Sequence, residues 1–358
     1  MKASDLFVQC LEKEGVKYVF GVPGEENEDL LFSLGSSSIK FIPTRHEQGA
    51  AFMADMWGRL TGRAGVCLAT LGPGATNLVT GVADAFLDKS PVVAITGQID
   101  VEQLHQESHQ RIDVVGMFKT ITKWNSSIYD PDVIPEVVRK AFRYAEEEKP
   151  GATHIELPED VAKLASKELP LVPHDVRRPD PDRLAREQAV EMLIAAKRPL
   201  IIAGNGAFRK RATRQLRALS ERYHIPVVHT FMGKGAVSDR SEESLFTMGL
   251  GMRDLVLEAI DKADLILTVG YELGEYSPER WNPKGKKKII HIDFTGADVY
   301  GQYQPAVELV ADPRATLREI HRDLRNHHKA KPFDNAWYKP IREKIKADIE
   351  GYQLQEGK

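Results

Sequence analysis

Short apolar runs alternate with stretches of helical period along the chain, and this alternation constrains the fold more than any other feature. Residues 17–20, 39–42, 65–70, 90–96 and 154–157 read as buried strands. Between them apolar residues recur at helical spacing: Leu6, Phe7, Cys10 and Leu11 within 3–14, and Ala50, Ala51, Met53, Ala54 and Trp57 after His46. Near-continuous apolar strands joined by helices predict parallel sheets covered on both faces. The pattern resumes at 198–203, 226–229, 265–269 and 288–293, with a basic helix over 209–223. Between Leu169 and Asp182 four prolines and mixed charges read as a linker. The expected fold class is α/β, with two doubly wound domains; 358 residues are too many for one ordinary core. After Leu324 the chain turns polar and basic and ends in a charged, helical tail.

Composition excludes several classes. A net charge of −3 provides no polybasic field for nucleic acid. No apolar run is long enough to span a bilayer. The N-terminus lacks the apolar core of a signal peptide, so a cytoplasmic location is expected. Cys10 and Cys67 read as buried thiols rather than a disulfide or a metal site. Gly204 and Gly206 flank Asn205 after a strand, but the third glycine of a dinucleotide fingerprint is missing, and a plain strand-to-helix turn is expected there.

Three strand ends in the first half carry unusual loops: Gly21-Val22-Pro23-Gly24, His46-Glu47-Gln48, and residues 72–77, read as a loop leading into a helix from Thr76 to Leu87. Glu47 places a carboxylate where a strand meets a helix, at the rim where open α/β sheets bind ligands. A first-turn glutamate favoured by the helix dipole explains it equally well in isolation.

Taken together and in this order, these segments resemble the pyrimidine-binding domain of thiamine-diphosphate enzymes of the acetolactate synthase family. The resemblance is carried by residues 20–24 (Phe-Gly-Val-Pro-Gly), 45–53 (Arg-His-Glu-Gln-Gly-Ala-Ala-Phe-Met), 58–62, 70–77 (Thr-Leu-Gly-Pro-Gly-Ala-Thr-Asn) and 95–98 (Ile-Thr-Gly-Gln). Residues 271–281 and 289–293 resemble the central domain of the family's catabolic, flavin-independent branch. The resemblance implies a pyrimidine-binding domain over 1–168, a linker over 169–184 and a Rossmann-like central domain over 185–326. The polar tail, 327–358, would lead toward a diphosphate-binding domain. It also implies thiamine diphosphate with Mg²⁺ as cofactor and no FAD. The substrate would be a 2-oxo acid, decarboxylated and joined to a second 2-oxo acid. Glu47 would hydrogen-bond N1′ of the aminopyrimidine and so favour the tautomer that deprotonates the thiazolium ring. Gly21, Pro23, Gly24, Thr70, Gly72, Pro73 and Asn77 would line the cofactor, and Gln110 would lie near the reacting centre.

The sequence also departs from the family. Glu25 stands where synthases usually carry a small residue, and His109 stands where an aromatic is frequent. Together they would suit protonation over carboligation, as in a 2-oxo-acid decarboxylase. His109 reads equally as a surface histidine in a polar loop, and Glu25 as a solvated acid at a helix start. No Gly-Asp-Gly, the family's Mg²⁺-diphosphate motif, occurs in the 358 residues. No metal ligands are therefore expected here. The chain is expected to be inactive alone, completed by a homodimer or by a chain carrying the diphosphate-binding domain. A non-catalytic binding subunit is the remaining alternative.

Overall fold

Six strands of the first half form one sheet: β1 (Tyr18–Gly21), β2 (Lys40–Pro43), β3 (Gly65–Ala69), β4 (Val92–Gln98), β5 (Trp124–Ser127) and β6 (Ala152–Pro158). In this computed structural model, which describes residues 1–249 and 254–355, their order is β2-β1-β3-β4-β6-β5 and every pairing is parallel. The connecting helices are α1 (Ala3–Lys13), α2 (Glu28–Gly35), α3 (Glu47–Thr61), α4 (Gly72–Leu87), α5 (Val114–Phe118), α6 (Ile134–Glu146) and α7 (Glu159–Lys163). Side chains of the central strands alternate between two apolar clusters. Val66, Leu68, Val93 and Ile95 join α1, α2 and α6 on one face, and Cys67, Ala69, Val92 and Ala94 join α3, α4 and α5 on the other. Both faces are thus covered, as the near-continuous apolar strands require.

The chain runs from β1 outward to β2, then returns to β3 on the opposite side of β1. Strand order reverses at that point, which opens a crevice at the carboxyl ends of β1 and β3. Local sequence determines how the flanking helices start. His46 caps α3, its Nδ1 accepting from the Gln48 N–H at 3.1 Å, and Gly62 ends the helix at φ 69°. The Gly-Pro-Gly run departs from expectation. It is the first turn of α4 rather than a loop, because Pro73 lacks the N–H that a helix start leaves unpaired and its φ suits the helix. Strand β5 was not legible either: its residues Trp-Asn-Ser-Ser are half-buried on a sheet edge and carry no apolar run.

The facing sides of α3 and α4 are built from small residues, Ala50, Ala51 and Ala54 against Ala75, Gly81 and Ala85. A Cβ on Gly81 would lie 2.6 Å from that of Ala51, so the helices touch backbone to backbone there. Arg59 of α3 clamps their far ends, reaching Asp55 at 2.8 Å, Asp84 at 2.9 Å and Asp88 at 2.8 Å.

Contacts divide the chain into two units, Met1–Val176 and Arg177–Lys358. Residues 167–182 have no regular secondary structure. The second unit contains α8 (Arg183–Ala195), β7 (Pro199–Ala203), α9 (Ala212–Tyr223), β8 (Val227–His229), β9 (Ser244–Thr247), α10 (Val256–Lys262) and β10 (Leu265–Val269). It continues with α11 (Pro278–Trp281), β11 (Lys288–Asp293), β12 (Val307–Val310), α12 (Pro313–Asn326) and α13 (Lys339–Gln355). Its parallel sheet has the order β12-β11-β10-β7-β8-β9 and reverses between β7 and β10. The segment read as a polar tail contributes Tyr338, Ile341 and Ile345 to this unit's core. The tail's last residues, 356–358, lie outside the described residues. Among the described residues no helix is long and apolar enough to cross a membrane.

Candidate active site

The crevice between β1 and β3 gathers most of the residues singled out above. Glu47 opens α3 and is only 8% exposed. Its Oε2 accepts from Nδ2 of Asn77, on the second turn of α4, at 2.9 Å. Its Oε1 would lie 3.5 Å from a Cβ added to Gly74. Among the described residues, Asn77 supplies the one hydrogen bond to this carboxylate. A buried carboxylate needs donors, and Glu47 has a single neutral one and no cation.

Thr70, directly after β3, packs between two turns. A Cβ on Gly24 would sit 2.5 Å from the Thr70 Cβ, and one on Gly74 would sit 2.8 Å from its Cγ2. The turn after β1 is fastened by Gly24, whose N–H donates to Oδ1 of Asn27 at 3.0 Å. Gly21 ends β1 and accepts from the Thr44 N–H at 2.8 Å, which ties the β1 and β2 ends together. Pro23 and Pro73 are exposed on the rim.

Gln110 also reaches the crevice. It adopts φ 56° and lies against Gly72, itself at φ 51°; a Cβ there would stand 2.8 Å from that of Gln110. His109 is exposed, as is Glu25, the first residue of a short 3-10 turn. Among the described residues no hydrogen bond or ion pair joins these two.

The neighbouring acid, Glu26, is the one that turns inward: its carboxylate accepts from the Thr70 hydroxyl. Sequence reasoning passed over it. Its signal is Gly97 at the end of β4, where a Cβ would lie 3.0 Å from that of Glu26. Gln98 and Glu156 were also passed over as site residues. Both are buried, and Gln98 Nε2 donates to Glu156 Oε2 at 3.0 Å. Burial pushes the Glu156 carboxyl up from its ordinary value. Among the described residues no group of His, Cys, Asp and Glu could hold a metal ion.

At the corresponding reversal in the second unit, Glu275 ties together the turns after β7 and β8. Glu275 Oε1 accepts from the Asn205 N–H at 3.1 Å, and its other oxygen takes the Thr230 hydroxyl. A Cβ on Gly206 would lie 2.6 Å from the Cα of Gly270.

Comparison with known proteins relates both units to known domains. Residues 1–117 match the family described as thiamine pyrophosphate enzyme, N-terminal TPP binding domain, and residues 186–320 match thiamine pyrophosphate enzyme, central domain. The chain thus carries the N-terminal and central domains of thiamine pyrophosphate enzymes. It is 37% identical to the acetolactate synthase of Bacillus subtilis over 328 residues, 90% of this chain and 57% of the relative. It is 35% identical to the probable acetolactate synthase large subunit of Methanocaldococcus jannaschii over 339 residues, 89% of this chain and 56% of the relative. Acetolactate synthase 2, chloroplastic, of Nicotiana tabacum is 35% identical over 345 residues, 94% of this chain and 52% of the relative. The chain spans about half the length of the curated relatives it matches.

Proposed function

We propose that this chain is the pyrimidine-binding and central part of a thiamine-diphosphate-dependent enzyme of the acetolactate synthase type, acting on 2-oxo acids. The observation that carries this reading is Glu47: a buried carboxylate at the strand-order reversal, with one oxygen held by Asn77 and the other beside Gly74. These residues fit an aminopyrimidine. A flat ring needs backbone close at hand, which Gly72 and Gly74 allow, and a ring nitrogen needs one carboxylate oxygen that the protein has not already used.

In the bound state thiamine diphosphate supplies a carbon nucleophile and an electron sink for decarboxylation. The residues of the first unit would bind and orient it. Glu47 would share a proton between its Oε1 and the ring nitrogen. Asn77 fixes the rotamer of Glu47 by taking Oε2. Thr70 and Gly24 shape the wall facing the ring, and Gln110 stands at the mouth beside Gly72. The diphosphate and its Mg²⁺ would be held by a diphosphate-binding domain of the kind the family resemblance implies.

The same reading calls for a partner over the open face of the site. Phe52, Met53, Met56 and Leu60 form an exposed apolar stripe on α3, beside the half-buried Val79 and Phe86 of α4. A second copy, or a chain carrying the diphosphate-binding domain, would cover it. The decarboxylase alternative rests on Glu25 and His109, which share no bond here.

The test is direct. In the complete enzyme, Glu47→Gln is expected to lower C2 proton exchange of bound thiamine diphosphate by about a hundredfold or more, the usual scale of a lost acid–base group. Exchange at the unaltered rate, followed by NMR, would remove Glu47 from this role. Product analysis with pyruvate separates acetolactate from acetaldehyde.

A further inference from the structure

Residues 99–113 leave β4 and return to α5, carrying His109 and Gln110 on the way. Two buried side chains hold the ends of this loop. Gln98 is 2% exposed and Glu156 is 4% exposed. The Ile99 N–H donates to Gln98 Oε1 at 3.1 Å. A backbone N–H can only donate, so the amide's orientation is determined, and Nε2 faces the other way. There it donates to the Ile112 carbonyl at 3.2 Å and to Glu156 Oε2 at 3.0 Å. Both donors of the amide are used, and its acceptor holds the loop's first residue. Gln98 therefore bridges the departing and returning ends of the loop, and Glu156, on the adjacent strand β6, locks the bridge. Between these ends, Gln110 rests on Gly72 in the first turn of α4.

We propose that Gln98, oriented by Glu156, is a positioning residue that fixes the His109–Gln110 segment over the first turn of α4. It acts through the main chain of Ile99 and Ile112 and touches no reacting group. Its catalytic meaning rests on the function proposed above; its mechanical claim does not. If Gln98 were only filling the core, its loss would loosen the sheet as a whole. If it positions the loop, its loss frees residues 104–113 and leaves β3 and α4 protected.

Hydrogen exchange of the full chain, read by mass spectrometry, distinguishes these. In Gln98→Leu, exchange of residues 104–113 is expected to rise by about tenfold or more, equivalent to about 1.4 kcal/mol of lost protection. Peptides from β3 and α4 should be unchanged. Glu156→Gln keeps an acceptor for the Gln98 amide and should leave the loop within about twofold of the parent. Gln98→Asn shortens the amide by one methylene and carries the test if the leucine variant does not fold. An unchanged loop in whichever of these two folds, or a uniform rise across the unit, overturns the proposal. Thiamine uptake by the unaltered chain, measured by saturation-transfer NMR, is scored separately. Its failure with the loop result intact would strike the cofactor reading alone, and the reverse outcome would strike only the positioning role.

Discussion

At the scale of single residues, the first unit treats its buried polar groups in two ways. Glu47 is buried at the rim, and among the described residues only its Oε2 takes a protein donor. His154 is buried mid-strand in β6. Its Nε2 meets the Thr96 hydroxyl at 2.9 Å, its Nδ1 has no partner, and its ring stacks on Phe118 at 4.3 Å between centroids. Burial pushes it down from 6.5 to about 3, so it is neutral in the folded protein. The unfolded chain takes up a proton below about 6.5, and the stability present above that pH is lost as pH falls toward about 3. The slope is at most about 1.4 kcal/mol per pH unit for one proton. His154→Gln should flatten the pH dependence of the urea midpoint between these limits. A slope equal to the parent's would show that other groups govern the acid limb.

At the scale of elements, the site depends on how closely α3 and α4 approach. Glu47 and Asn77 sit one on each helix, and the contact of Gly81 with Ala51 sets their separation. Gly81→Leu should force the helices apart, cost about 1–3 kcal/mol in urea unfolding, and weaken aminopyrimidine binding together with stability. Binding retained at full strength would mean that the Glu47–Asn77 pair adjusts independently of the helix contact. These elements also show how far a sequence reading reaches. Strands such as β3 and β4 announce themselves because burial on both faces leaves only apolar residues. The carboxylate at 47 was legible because its position at a strand end is a matter of order along the chain. What escaped depended on tertiary pairing. The first turn of α4 looked like a loop because its glycines answer to Gln110 and Glu47, which lie far away in sequence. Glu26 and Glu25 are adjacent and chemically alike, and the Thr70 hydroxyl and the packing of Gly97 tell which one faces inward. Strand β5 exists because β6 offers it an edge, which its own residues do not reveal.

At the scale of the molecule, two parallel six-stranded sheets each reverse their order once. At the first reversal one oxygen of Glu47 takes the Asn77 amide, and at the second both oxygens of Glu275 are used. The apolar stripe lies on α3, the helix that Glu47 opens. On the proposal that a second copy covers this stripe, Met53→Glu with Met56→Glu should abolish self-association in sedimentation while leaving the melting temperature within about 4 °C, as surface changes do. Self-association that survives would place the partner surface elsewhere. One further property follows from where the thiols lie. Both cysteines of the chain, Cys10 on α1 and Cys67 on β3, are buried in the first unit, and burial pushes each up to about 12. Neither reacts until its surroundings open. Alkylation is therefore a clock built into one half of the protein: it counts openings of the first unit and is blind to the second, so that half can be timed alone in a single unlabelled chain.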